Sequence, residues 1–471
     1  MTTSSTLVIS ASGIRGIVGK DLTPDLVTRY AAGLGERAGA AGRPRIVIGR
    51  DARTSGEMFA HAAIAGLLSV GCEVIDIGLV PTPTTQLAVE FHKAGGGIVL
   101  TASHNPVEWN ALKLIGPDGV FLDADGVADV RARAERGPAC RGWDGIGRLW
   151  HDRDAIKRHI EAVLNLPLID VDQVRRARFR VALDCVRGAG GAIIPELLQR
   201  LGCEVSGIHL ETDGKFPREP EPLPENLTEL KHLVRTTGSH LGIAVDPDVD
   251  RLALVDEHGI AIGEDYTLAF AVRAVLGARD SGVGPRGGIS SSETRVPSPE
   301  PPVVVANLST SLVVEDAAKA GGARFVRAPV GESNVARAMI HENALIGGEG
   351  NGGVMLPQLH LGRDAPLGVA LILQYLALDG RPVSALVSAA PRYRILKAKV
   401  KRGRDLGPIY LQLKTGFPEA EIDERDGLRL GWKDRWIHVR PSGTEPVIRM
   451  IAEAPTEAEA EDLLDAASGL L

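Results

Sequence analysis

Apolar residues in this chain gather in short unbroken runs bounded by glycine, and one order of elements recurs three times. Arg45-Ile46-Val47-Ile48-Gly49 reads as a buried strand, residues 57–70 as a helix, and Gly71-Cys72-Glu73-Val74-Ile75 opens a second strand. Phe179-Arg180-Val181-Ala182-Leu183, a helix near 190–201 and Gly202-Cys203-Glu204-Val205 repeat that order. Pro302-Val303-Val304-Val305-Ala306, a helix near 311–320 and Gly322-Ala323-Arg324-Phe325-Val326 repeat it again. Strand–helix–strand units pair their strands in parallel through a right-handed crossover. The copies stand roughly 120–130 residues apart, a domain's length. After about residue 380 the pattern changes. Arg394 to Lys401 alternates like a strand, Trp436-Ile437-His438-Val439 is another, and Ala458 to Leu471 reads as a closing helix. The expected fold is α/β: three related α/β domains with mixed, mostly parallel sheets, plus a smaller C-terminal α+β domain. The expected boundaries are 1–152, 153–258, 259–375 and 376–471. A Gly/Ser/Pro-rich stretch, Arg279 to Pro302, reads as a surface loop of the third domain.

Composition narrows the class. A chain of 471 residues, 44% hydrophobic, can fill several cores, but with only 4% aromatics those cores must rest on Ala, Val, Leu and Ile. A net charge of −7 without a long basic run argues against nucleic acid, so any phosphate-binding field is local. Cys72, Cys140, Cys185 and Cys203 are far apart, which disfavours zinc and suits a reducing compartment. No charged leader, signal-length apolar core or membrane-length run is present, so a soluble, cytoplasmic protein is expected.

Two loops carry the densest chemistry. The apolar run Gly97-Ile98-Val99-Leu100 ends at Thr101-Ala102-Ser103-His104-Asn105-Pro106, a hydroxyl beside an imidazole where Asn105-Pro106 forces a turn. Such a serine suits a nucleophile or phosphate carrier. Alone, it is more often an ordinary Ser/Asn turn. Asp246-Pro247-Asp248-Val249-Asp250-Arg251 puts three carboxylates at alternate positions, which face one way in an extended backbone, and Pro247 argues against a helix. These acids repel one another unless a cation neutralises them, and an all-oxygen set suits Mg²⁺. An EF-hand is disfavoured because Arg251 stands where the loop needs glycine, and the flanks read as strands. A solvated acidic turn is the other alternative. Further along, Glu349 lies within Gly347-Gly348-Glu349-Gly350-Asn351-Gly352-Gly353, where backbone can approach a ligand closely. Arg440-Pro441-Ser442-Gly443-Thr444-Glu445-Pro446 offers backbone N–H groups and hydroxyls to a phosphate. A flexible glycine loop and a plain turn are the blander readings of these two.

With these four motifs in this order, the chain resembles the α-D-phosphohexomutase family, which includes phosphoglucomutases, phosphomannomutases and phosphoglucosamine mutases. Ser12-Gly13-Ile14-Arg15-Gly16 matches the family's N-terminal loop as well. The resemblance implies four domains around a central cleft and a phosphoryl group carried by Ser103. It implies Mg²⁺ held by Asp246, Asp248, Asp250 and that phosphoserine. Glu349 and Asn351 would read sugar hydroxyls. Arg440, Ser442, Gly443 and Thr444 would hold the phosphate that is not reacting, with Arg449 either a second cation there or a residue of the outer strand face. Lys113 is the implied base. Arg15 would neutralise the transferring phosphate with a bidentate fork. His104 would orient the phosphoserine or pack, and Arg251 would support the metal loop or contact phosphate. The chain departs from the pattern at Asn351 and Gly353, where many members have serine and histidine, and at Ile9-Ser10-Ala11, where many have Phe-Gly-Thr.

The implied reaction runs through a hexose bisphosphate, which also acts as activator. Ser103 gives its phosphoryl to the free end of a hexose phosphate, the sugar turns, and Ser103 takes the other phosphate back. The form of the third motif resembles phosphoglucosamine mutases of archaea and some bacteria. Glucosamine 6-phosphate to glucosamine 1-phosphate is therefore the leading reading, with phosphoglucomutase/phosphomannomutase activity the alternative. Small sugar phosphates are the expected partners, not nucleic acid or a membrane, and the chain is expected to be a monomer or homodimer. The fourth domain is expected to close over the sugar on a hinge near residues 375–385, excluding water. Two rivals have other chemistry: a haloacid-dehalogenase-like phosphatase built on Asp246 and Asp248, and a sugar-phosphate sensor without turnover. The first leaves Ser103 without a task; intact Ser103, Lys113 and three Asp side chains weigh against the second.

Overall fold

Among the described residues four sheets carry the chain, and three of them share one plan. The computed structural model describes residues 7–10, 13–280, 301–401, 403, 405–442 and 447–470. Most of the 279–302 stretch therefore lies outside the described residues, and its first two residues end the helix Asp265–Asp280. In each of the first three sheets a central strand, Arg45–Arg50, Arg180–Asp184 or Val303–Asn307, pairs in parallel on both sides. One neighbour is Glu73–Leu79, Glu204–Ile208 or Arg324–Ala328; the other is Gly96–Leu100, Leu241–Val245 or Ile346–Glu349. Beyond the latter lies an antiparallel strand, Trp109–Ile115, Leu252–Val255 or Gly353–Met355. The repeat is thus a four-strand unit, two strands larger, both on one side, than the strand–helix–strand pattern reveals. Strands such as Gly96–Leu100 and Leu241–Val245 are buried along their whole length, which is why they read as unbroken apolar runs. Even the turn after the central strand recurs. Asp51, Asp184 and Asn307 each accept the backbone N–H two residues on, at 2.9, 2.8 and 2.9 Å.

The first sheet gains edge strands Val8–Ser10, Gly13–Ile17 and Arg148–His151. The second and third domains share one large apolar core, to which the helices Asp265–Asp280 and Ala365–Asp379 both contribute. That core continues past the expected hinge region. Leu376, Val383, Leu386 and Ala390 all lie in it, and the helix Ala365–Asp379 runs through the expected boundary at 375/376. The first strand of the fourth sheet, Arg394–Lys401, begins just after this stretch. The fourth domain is an antiparallel five-stranded sheet with its own core around Leu430, Val439 and Met450. It docks on the third through polar contacts. Glu453 accepts from Ser311 Oγ and Leu312 N at the start of the helix Leu312–Ala320, and His438 Nδ1 meets Ser309 Oγ at 2.8 Å. Among the described residues no helix is long and apolar enough to cross a membrane.

Candidate active site

The three candidate loops occupy one topological position: each joins the fully buried parallel strand to its antiparallel partner, at the carboxyl end of the sheet. In the first domain that turn carries Ser103, buried and held at φ 50°, a left-handed backbone for a residue that is not glycine. Such a conformation costs about 1–3 kcal/mol and persists only where the surroundings enforce it. Arg53 enforces it from inside the turn. Its Nη1 donates to the carbonyls of Pro106 and Trp109 at 2.7 and 2.9 Å, and its Nη2 to those of Ser103 and Asn105 at 2.7 and 2.6 Å. Charged hydrogen bonds contribute roughly 1.5–3 kcal/mol each, so two of the four already offset the strain. Arg15, on the neighbouring strand Gly13–Ile17, donates to Asn105 Oδ1 at 2.7 Å. Burial lowers its guanidinium to about 10, which leaves it cationic at neutral pH. His104 Nδ1 lies 3.3 Å from Ser103 Oγ. Burial, then the charges of Arg251 and Arg15, hold this imidazole well below its ordinary range, although 28% of the side chain is still accessible.

Ser103 Oγ donates to Asp246 Oδ2 at 3.0 Å, joining the serine turn to the acidic one. The acids converge for a different reason from the extended backbone expected. Residues 246–251 form a turn, with Val249 at φ 64°. Asp246 Oδ1 accepts the N–H groups of Asp250 and Arg251, both at 3.2 Å. One oxygen from each of Asp246, Asp248 and Asp250 falls within 4.8 Å of the others, and all three side chains are fully buried. Lys113, expected as a base and alternatively as a solvated lysine, is buried with Nζ 2.6 Å from Asp248 Oδ2 and 3.4 Å from Asp250 Oδ2. Burial works to lower its ammonium, but Asp248 and Asp250 outweigh it and the net shift is upward. Thr82 Oγ1 also donates to Asp248 Oδ2, at 2.6 Å. Burial, then repulsion from Asp250 and Asp248, pushes the Asp246 carboxyl well up, so this carboxyl favours a proton or a cation. Asp248 Oδ1 and Asp250 Oδ1 are buried without a hydrogen-bond partner. Orphaned oxygens on an all-carboxylate set fit a hard divalent cation. Arg251 Nη1 donates to Glu221 Oε1 at 2.7 Å, a neighbour the sequence did not suggest.

The glycine turn abuts the acidic one. Leu252 N donates to Gly352 O at 3.1 Å, and a Cβ at 352 would lie 2.3 Å from Leu252 O, so only glycine allows this approach. Glu349 is buried with both oxygens engaged. Oε1 accepts from Asn307 Nδ2 at 2.8 Å and Gly331 N at 3.0 Å; Oε2 accepts from Arg363 Nη1 at 2.8 Å and Asn351 Nδ2 at 3.4 Å. Burial opposes its charge, but Arg363 outweighs that and the carboxyl shifts downward. A sugar hydroxyl can reach Glu349 only by displacing a donor, and Asn351 is the most distant of the four.

In the fourth domain Arg440 Nε pairs with Asp426 Oδ2 at 2.9 Å, and the same oxygen accepts Val330 N at 3.0 Å. A polar path thus runs from Arg440 through Asp426 and Val330-Gly331 to Glu349. Lys399, Arg449 and Arg440 are cross-strand partners in one row. Like charges in such a row disfavour the sheet unless an anion sits beside them. Lys399 was not singled out from the sequence. Ser442 N donates to Val447 O at 2.8 Å, while Gly443 and Thr444 lie outside the described residues, as does Ser12. The structure thus gathers Arg15, Ser103, His104, Lys113, the three aspartates, Arg251, Glu349 and Asn351 into one connected cluster. Arg440 joins it through Asp426, and Arg449 is the cross-strand partner of Arg440.

Comparison with known proteins agrees with this architecture. Family descriptions of phosphoglucomutase/phosphomannomutase alpha/beta/alpha domains I, II and III match residues 7–139, 157–259 and 290–393, and that of the C-terminal domain matches 396–469. A "Phosphoglucomutase/phosphomannomutase" of Thermococcus kodakarensis is 38% identical, over 98% of this chain and 97% of that one. A "Probable phosphoglucosamine mutase" of Methanopyrus kandleri is 36% identical, over 96% and 95%. The crystal structure of a phosphoglucomutase/phosphomannomutase family protein from Burkholderia thailandensis shares the fold, with a TM-score of 0.83 at 24% identity over 100% and 98% of the two chains. The resemblance and fold class read from the sequence are borne out, and the phosphatase and sensor readings fall away: the chain belongs to the phosphoglucomutase/phosphomannomutase family of α-D-phosphohexomutases and is an isomerase.

Proposed function

We propose that the chain is a Mg²⁺-dependent mutase that moves a phosphoryl group between the 1- and 6-positions of a hexose phosphate, with glucosamine phosphate as its principal substrate. The carrying observation is the hydrogen bond from Ser103 Oγ to Asp246 Oδ2, 3.0 Å long, inside a buried group of three carboxylates and one ammonium. Asp246, Asp248, Asp250 and the phosphorylated Ser103 would hold the ion. Its chemistry there is Lewis-acid polarisation of the phosphoryl group.

Ser103 hands its phosphoryl to a sugar hydroxyl and later accepts one from the opposite end. Arg15 balances the charge of the group in flight. Lys113, cationic between Asp248 and Asp250, serves first as a charge stabiliser; it takes a proton only when those carboxylates direct their charge elsewhere. His104, neutral and 3.3 Å from Ser103 Oγ, is the second proton acceptor within reach. Glu349, with Asn351 displaced, reads the hydroxyls. Arg440 and Arg449, with Ser442, Gly443 and Thr444, grip the idle phosphate. A hexose bisphosphate primes Ser103.

The Methanopyrus kandleri relative's name supports glucosamine phosphate, and the Thermococcus kodakarensis relative's name supports glucose and mannose phosphates as the second reading. Turnover of the 1- and 6-phosphates of all three sugars, with Mg²⁺ and a bisphosphate primer, tests both. The highest kcat/KM on glucosamine phosphate is expected. A preference of tenfold or more for glucose or mannose phosphate overturns the substrate assignment.

A further inference from the structure

We infer that Arg363 is the positioning residue that fixes the sugar-reading turn to the cation-holding turn, and that residue 353 is glycine because the Arg363 stem occupies its side-chain space. The inference rests on the mutase reading above. Arg363, buried, makes three ion pairs at once: Nε to Glu332 Oε2 at 3.0 Å, Nη1 to Glu349 Oε2 at 2.8 Å and Nη2 to Asp250 Oδ2 at 2.5 Å. A planar fork has fixed donor directions, so it holds three acceptors in one mutual geometry where a lysine ammonium cannot. The first domain is tied in as well, because Glu332 Oε1 accepts Gln86 Nε2 at 2.8 Å.

The backbone that carries Arg363 is itself pinned. Asp364 Oδ2 meets His159 Nε2 at 2.8 Å and His360 Nε2 at 2.9 Å, and Thr84 Oγ1 lies 2.8 Å from His159 Nδ1. Between that anchor and the three ion pairs, the stem crosses Gly353. A Cβ at 353 would stand 2.3 Å from Arg363 Cδ and 2.8 Å from Cγ. A stem fixed at both ends cannot swing aside, so positions 353 and 363 compete for one volume. The sugar must meet Glu349 and the cation site twice, in opposite orientations. Arg363 sets the spacing of those two sites, and so keeps it equal in both half-reactions.

The test uses the full chain. Arg363→Lys and Arg363→Met are expected to raise KM for the hexose phosphate and to weaken Mg²⁺ binding, measured by calorimetry without sugar, each by roughly 10–100-fold. Gly353→Ala is expected to lose a similar amount, and Gly353→Ala combined with Arg363→Gly to lose no more than Arg363→Gly alone, the non-additivity that competition for space demands. Unchanged KM and Mg²⁺ affinity per folded molecule in both Arg363 variants overturns the inference, even if they melt earlier. So does full activity of Gly353→Ala, or a double variant whose loss is the product of the two single losses. Mass analysis of Ser103 after bisphosphate treatment separates the two claims. A wild-type chain that takes no phosphoryl there sinks the mutase reading, whereas labelled Arg363 variants with wild-type constants sink only this inference.

Discussion

The turn at 246–251 and the turn after Ile346–Glu349 hold the same place in their repeats, yet one is crowded with acids and the other with glycines. The topology makes them converge; their residues decide what each must borrow. The acidic turn has charge in excess and takes cations from elsewhere, Lys113 from the first domain and Arg363 from the third. The glycine turn has space in excess and takes in the Leu252 carbonyl and the Arg363 stem. Neither turn is complete on its own, and the serine turn of the first domain needs Arg53 in the same way.

The comparison can be broken hardest at its third member. Ser103→Ala is expected to lower mutase turnover by at least about 10³-fold, since it removes the proposed phosphoryl carrier. Calorimetric Mg²⁺ binding should survive in part, and a variant that turns over normally would end the proposal. Asp248→Asn, next in size, should weaken Mg²⁺ binding and turnover by about 10²-fold, as when a preorganised charge is removed from a buried site. Mg²⁺ titration by calorimetry measures it, and an unchanged affinity would exclude the acidic turn as the cation site. Glu349→Gln should act on the other side of the comparison. It should raise KM for the sugar phosphate by about 10-fold, the loss of one charged hydrogen bond, and leave Mg²⁺ affinity unchanged. A metal effect as large as the sugar effect would show that the two turns are not separable.

The smallest effect is on stability. Burial pushes the Asp265 carboxyl up to about 8, against the pull of the Ser311 N–H that donates to it at 2.9 Å. Between about 4, the usual aspartate value, and about 8, the folded chain keeps a proton that the unfolded chain has released. Stability therefore falls as pH rises through that window. Asp265→Asn should match the wild type near pH 4 and melt above it at pH 9. Melting curves with the same offset at both pH values would refute this.

Much of the site was legible because its residues end apolar runs. Ser103, Asp246 and Glu349 each stand at or just beyond the end of a buried strand, where a change from apolar to polar is visible in one dimension. Arg363, Glu332, Gln86, Thr82 and Lys399 were not legible, because a lone charged or polar residue says nothing until its partner is known. Arg363 meets Asp250 across 113 residues, and Gln86 meets Glu332 across 246. One signal was present and went unread. Gly353, a departure from the family pattern noted in the sequence, stands where the Arg363 stem leaves no room for a Cβ. The continuation of the core past residue 380 was hidden for a different reason. Gly380, at φ 77°, does cap the helix Ala365–Asp379, but Val383–Ser388 then folds back into the same core. A stop signal marks the end of a helix, which is not the end of a domain.

Arg53 has one more consequence. Its two Nη atoms collect four carbonyls of residues 103–109 from the turn that follows the strand Arg45–Arg50. Until that strand has joined its sheet, nothing gathers those carbonyls, and Ser103 is one hydroxyl among many. On the proposed mechanism, the capacity of Ser103 to take a phosphoryl group therefore arrives with the folding of the first domain. The fraction of a preparation that can be labelled at residue 103 becomes a census of its correctly folded molecules.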